Sequence, residues 1–239
     1  MKTKTLHYKK QSIGVINSTL DSCEKKEVRD MLVDSIKYKD PTCILTFGGL
    51  NMWDATLFFR KFPNCRIISI ERDPAILKAQ KKRIKPIYNR VFTMHYEFSN
   101  FVDQAPHILG NDLDLAFLDF NCVLSRKLED GLEKFLTHVN KDAIIGLTLV
   151  AARDSVAEIE DTYCFQEVCN CREAIYRENR SKVIAHTVKA LGKRNGRVVQ
   201  QIGETKCYQN REREKNEFGQ EEVVRVGTPM MFWMFRVVK

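Results

Sequence analysis

A chain of 239 residues, 44% of them hydrophobic, is long enough to bury a full core, and its 11 glycines and 6 prolines exclude a collagen-like or low-complexity polymer. The formal charge of +8 favours an anionic partner such as nucleic acid. No run reaches the roughly 18 apolar residues of a membrane span, and Met1 to Lys10 lacks the apolar centre of a signal peptide, so no membrane association is expected.

Residues 1–18 read as irregular, with a small apolar patch at Ile13 to Ile16. Val28, Met31, Leu32 and Ile36 fall at helical spacing within Leu20 to Ile36, with Asp21 or Ser22 as cap. Cys43 to Phe47 is the first apolar strand, followed by Gly48-Gly49 and a helix from about Trp53 to Lys61. Arg66 to Ile70 is the second strand, and Pro74 suits the first turn of the next helix. Strands are expected again at Arg90 to Met94, Leu113 to Leu118 and Ala143 to Val150, with helices at Phe98 to Leu109 and Arg126 to Val139 between them. The last of these strands is almost wholly apolar, as in a sheet covered on both faces.

Five β/α repeats of this kind predict a doubly wound, mostly parallel sheet. Beyond Val150 the pattern changes. Ser155 to Leu191 reads as a long charged helical stretch, and Arg197 to Tyr208, Glu221 to Val226 and Met230 to Val238 read as strands. A charged loop, Asn210 to Gln220, and a short turn, Gly227-Thr-Pro229, join them, so these strands must be antiparallel. The expected organisation is a single domain over 1–239: a helical extension (1–40), a cofactor-binding β/α core (41–150), and a long helix with antiparallel strands (151–239).

The most informative stretch joins Phe47-Gly48-Gly49-Leu50-Asn51 to Ile70-Glu71-Arg72. Paired glycines after a buried strand permit a tight turn and let a ligand approach the main chain. An acid at the end of the second strand, roughly 20 residues on, can grip two ribose hydroxyls. In this order of elements the chain resembles the class I S-adenosylmethionine-dependent methyltransferases over about Asp40 to Val150. That family has a seven-stranded α/β sheet with helices on both faces and an antiparallel last strand.

The resemblance implies S-adenosylmethionine as cofactor, with Phe47, Gly48, Gly49 and Asn51 in the glycine-rich motif, Glu71 on the ribose and Arg72 beside the adenine. It places Glu97 and Phe98 near the adenine amino group, Asp119 beside the transferred methyl as the catalytic candidate, and Thr148 near the rim. Two departures stand out. Leu50 occupies the place of a third glycine, and Phe120-Asn121 follows Asp119 where amino-methylating DNA enzymes carry two prolines. A protein that keeps this fold without catalysis is therefore one alternative, and a nicotinamide enzyme is another, weakened by the lack of a full Gly-x-Gly-x-x-Gly pattern.

Lys78, Lys81, Lys82, Arg83 and Lys85 form a basic run, read either as a solvated helix face or as a phosphate-binding surface for nucleic acid. Structural zinc sites use cysteines about two to four residues apart. Cys169 and Cys171 have one residue between them and Cys164 lies further back, so no metal is expected. The eight scattered cysteines fit a reduced, cytoplasmic protein.

Overall fold

A computed structural model describes residues 23–36, 40–84, 89–110, 112–151, 173–215 and 221–239. Among these residues there are six helices: α1 (Cys23–Ser35), α2 (Trp53–Lys61), α3 (Pro74–Arg83), α4 (Phe98–Leu109), α5 (Arg126–Leu136) and α6 (Glu173–Arg194). The strands are β1 (Cys43–Phe47), β2 (Arg66–Glu71), β3 (Val91–His95), β4 (Leu113–Asp119), β5 (Val139–Val150), β6 (Val199–Gln201), β7 (Lys206–Lys215) and β8 (Glu221–Val237). The sheet runs β3-β2-β1-β4-β5-β8-β6, with β7 also paired to β8. Strands β1 to β5 are parallel, and β8 is antiparallel to β5, β6 and β7.

Strand alternation builds two cores from one sheet. Cys43, Leu45, Ala116, Leu118 and Trp233 pack towards α4, α5 and α6 on one face. Ile44, Leu115, Phe117 and Phe232 meet Val28 and Leu32 of α1 and Phe58 of α2 on the other. Burying an aromatic side chain as completely as Phe117 or Phe232 contributes about 2–3 kcal/mol. Gly146 of β5 makes room for α1, because a Cβ there would lie 2.7 Å from Leu32 Cδ2.

Two helix starts follow directly from sequence. Asp73 caps α3, its Oδ1 accepting from the amides of Ala75 (2.7 Å) and Ile76 (3.3 Å), with Pro74 in the first turn. Ser125 caps α5 through the amide of Leu128.

The C-terminal third departs from expectation, and the sheet has eight strands rather than seven. The expected strand Arg197 to Tyr208 is split into β6 and β7, which pair in series along the same edge of β8. Residues 210–215 of the expected charged loop are β7, whose partners are residues of β8. Gly227-Thr-Pro229 is not a turn: β8 passes through it as one strand. Pro229 can stand there because β5 pairs only from Met230 onward, so its missing N–H removes no rung to β5. The expected cap at Asp21 or Ser22, the patch at Ile13 to Ile16, the first part of the helical stretch after Ser155, and Lys85, Cys164, Cys169 and Cys171 lie outside the described residues.

Candidate functional site

The chain reverses its direction of sheet-building between β1 and β4, and a cavity of about 300 Å³ opens there at the carboxyl ends of the strands. This is where doubly wound sheets receive ligands. Its walls come from each loop that leaves a strand: Gly48 and Gly49 after β1, Glu71 and Arg72 at the end of β2, Glu97 after β3, and Asp119 ending β4.

The glycine turn is held from outside. A Cβ on Gly48 would lie 2.2 Å from Ser69 Oγ and 3.0 Å from Gln80 Nε2, so only hydrogen fits. Gly49 has φ +52°, in the left-handed region that favours glycine. Gln80, wholly buried on α3, donates from Nε2 to the Gly49 carbonyl at 2.8 Å. Sequence reading missed Gln80. Its signal was a polar residue one turn after Leu77, on the inward face of an otherwise basic helix.

Glu71 lies at the cavity edge with Oε1 accepting from the amide of Asp73 at 2.9 Å. Burial pushes its carboxyl above the usual carboxylate range, against the pull of the Asp73 and Arg72 amides. Glu97 precedes α4 and is ion-paired on the surface with Lys127 of α5 at 2.6 Å. Phe47, Phe98 and Phe120 form an edge-to-face aromatic wall, with ring centres 4.9 Å apart for Phe47–Phe120 and 5.0 Å for Phe98–Phe120. Phe120, one of the two residues in place of the prolines, is thus a wall of the cavity. Asn51 is half-buried in the glycine turn and is not among the cavity-lining residues. Thr148, expected near the rim, is fully buried within β5 instead.

The floor was not foreseen. Lys25 and Arg29, one turn apart on α1, reach across to two acids. Lys25 Nζ donates to Asp119 Oδ2, and Arg29 Nη1 to Asp54 Oδ1 at 3.2 Å. All four side chains are at most 9% exposed, and all four line the cavity. Burial opposes the charge on Lys25, but Asp119 and Asp54 outweigh it and hold its pKa above the ordinary lysine value. Burial pushes Asp54 up, with Lys25 and Arg29 pulling the other way. The carboxylate expected to face the reacting group therefore carries a fixed cationic partner.

Solved structures with the same architecture include an S-adenosylmethionine-dependent methyltransferase from Agrobacterium tumefaciens (TM-score 0.54, 12% identity, 90% of this chain and 62% of that one). A precorrin-6y C5,15-methyltransferase from Geobacter metallireducens superposes with TM-score 0.52 at 14% identity, over 95% of this chain and 100% of the other. The P. horikoshii TYW2 structure, in complex with MeSAdo, gives 0.51 at 16% identity over 88% and 61%.

The chain has the class I methyltransferase fold.

No model of a known protein family matches it. Curated relatives are ribosomal RNA small subunit methyltransferase H of Leptospira interrogans, 28% identical over 109 residues, and of Mycolicibacterium gilvum, 26% identical over 128 residues. These matches cover 42% and 50% of this chain but only 32% and 34% of the relatives, about a third of their length. Within the methyltransferase fold, Gly48, Gly49, Glu71, Arg72, Glu97, Phe98 and Asp119 gather around one cavity. The basic residues Lys78, Lys81, Lys82 and Arg83 lie exposed along α3. No group of acids, histidines and cysteines fit to hold a metal occurs among the described residues.

Proposed function

We propose that this chain binds S-adenosylmethionine and methylates an acceptor in nucleic acid, RNA before DNA. The observation that carries this reading is the convergence of the glycine turn and Glu71 on one cavity, with Asp119 across from them. The residues fit the cofactor: Gly48 has no room for a side chain, and Glu71 stands at the end of β2 where a ribose diol would meet it. When bound, the sulfonium supplies an already activated methyl group, so the protein's share is alignment.

In this reading Gly48 and Gly49 lie along the methionine portion and Phe47 walls it. Arg72, Glu97 and Phe98 flank the base, and Asn51 shapes the turn. Asp119 accepts a hydrogen bond from the acceptor's N–H or O–H and sets its lone pair towards the methyl carbon. The formal charge of +8, the exposed cations of α3 and the names of the curated relatives support a nucleic-acid acceptor. A reducing, cytoplasmic setting belongs to the same proposal, in keeping with the free thiols of Cys43, Cys65, Cys122 and Cys207. No helix among the described residues is long and apolar enough to cross a membrane.

Calorimetry with S-adenosylmethionine, S-adenosylhomocysteine and NAD tests the cofactor, and transfer of a labelled methyl onto RNA, DNA and protein pools tests the acceptor. Binding of the first two but not NAD, lost in Glu71→Ala, is the expected result. Silence towards both sulfur ligands at millimolar concentration defeats the reading. A second reading, cofactor binding without catalysis, is favoured by the Lys25 ammonium already seated on Asp119. It predicts binding in the calorimeter and no label on any pool.

A further inference from the structure

The chain has two tryptophans, and they sit in opposite circumstances. Trp233 is 0% exposed in the core, whereas Trp53, the first residue of α2, is 45% exposed and lines the cavity. The other large apolar side chains this exposed among the described residues are Phe92, Val198 and Val223, and none of them borders the cavity. Scattered exposed apolar residues are ordinary, but a bare indole at a cavity mouth is a surface waiting for a flat partner.

The backbone before Trp53 sets its direction. Met52 has φ +53°, an unusual conformation for a side-chain-bearing residue, and its own side chain is buried. The next residue, Asp54, is fixed to Arg29. Both Asp54 and Asp119 act on the Lys25 ammonium, so the first turn of α2 belongs to the Asp119 end of the cavity. Glu71, ending β2, and Glu97, between β3 and α4, line the cavity from the other strands.

We infer that Trp53 is the acceptor platform, stacking the unpaired nucleobase that is to be methylated or its immediate neighbour. This rests on the methyltransferase reading above. The chemistry of the floor favours a base over a phosphate in this spot, because Lys25 and Arg29 are each matched by a carboxylate and the cluster carries no formal net charge. The nucleic-acid backbone has its own partners in the exposed cations of α3 and the overall charge of +8. An aromatic face accepts any base, so the platform gives affinity for single strands with little sequence preference.

The full chain, saturated with S-adenosylhomocysteine, is titrated with a mixed-sequence single-stranded RNA 12-mer and with the same sequence as duplex. Indole emission reports on Trp53, with buried Trp233 as the constant background. Saturable quenching by the single strand and much weaker quenching by the duplex are expected. Anisotropy of the labelled 12-mer should show about ten-fold or greater loss of affinity for Trp53→Ala and near-parental affinity for Trp53→Phe.

Equal quenching by duplex, or unchanged RNA affinity in Trp53→Ala, overturns the platform. So does Trp53→Ala weakening S-adenosylhomocysteine in the calorimeter, which would make Trp53 a cofactor residue. If S-adenosylhomocysteine fails to bind the parent protein while Trp53→Ala still loses RNA, the platform stands and the methyltransferase reading falls. Thermal unfolding of both variants, close to the parent because the side chain is exposed, separates these outcomes from misfolding.

Discussion

The two halves of the sheet solve different problems with the same architecture. Strands β1 to β4 are five to seven residues long, and β1, β2 and β4 deliver a polar or permissive residue to the cavity: the Gly48–Gly49 turn, Glu71, Asp119. Beyond them, β8 meets α6 through Trp233, Phe235, Val237, Ile184, Val188 and Leu191, a largely apolar interior, with the buried Arg180 of α6 donating to the Val150 carbonyl. One half is held together largely by hydrophobic burial, while the other keeps four charges out of water beside a cavity. Buried charge is retained at a cost in stability, and that cost points to use rather than to packing.

The sharpest way to break this contrast is to remove one member of each kind. Lys25→Met leaves Asp119 and Asp54 short of a cation and should cost about 3–5 kcal/mol in denaturant unfolding. Phe235→Ala, a cavity in the apolar half, should cost about the same. Their pH dependence should differ. Lys25 has its pKa raised in the fold, so its pairing stabilises everywhere below the ordinary lysine value and is lost as pH rises through the higher folded one. In Lys25→Met, Asp54 loses one of the two cations that oppose its burial-raised pKa and protonates more readily, so the deficit should shrink as pH falls, whereas that of Phe235→Ala should stay level. Equal pH profiles for the two variants would erase the distinction.

Gly48→Ala ranks next, at about 1–3 kcal/mol, with Ser69 as the nearest obstruction. Pairing it with Ser69→Ala should recover part of the loss in a double-mutant cycle, and additive losses would show that the collision lies elsewhere. Gln80→Leu removes the donor to the Gly49 carbonyl and should cost about 1–2 kcal/mol, while weakening S-adenosylhomocysteine in the calorimeter.

Smallest is Glu71→Gln. Burial raises the Glu71 pKa, so the folded apo protein is penalised above that pKa and relieved as pH falls towards the unfolded value. The amide should therefore stabilise the apo chain at neutral pH by a few tenths of a kcal/mol, after allowance for the partial exposure of the group. The same change should weaken the ribose grip. A variant less stable at pH 7 than the parent would remove Glu71 from the charged, strained half.

What the sequence disclosed follows the same divide. Cys43 to Phe47 and Arg66 to Ile70 are apolar runs that stop abruptly, and the residue at which each stops is a cavity residue. Lys25 and Arg29 escaped notice because their partners are distant in the chain: Asp119 lies 94 positions from Lys25. A signal existed, since both cations share the α1 face of Val28 and Leu32, and a cation on an inward face requires a carboxylate opposite. Residues 210–215 read as loop because their alternating charges carry no apolar stripe; their pairing with β8, not their composition, makes them strand.

The continuity of β8 has a consequence for amide exchange. From Met230 to Arg236 it is paired with β5 on one side, and on the other with β7 as far as Phe232 and with β6 from Phe235, while from Glu221 to Thr228 its ladder partners lie in β7 alone. Protection against deuterium should therefore step down within one unbroken strand, with its border at Pro229. Such a border inside a single element would let the outer ribbon exchange its amides while the rungs from Met230 to Arg236 keep the sheet shut.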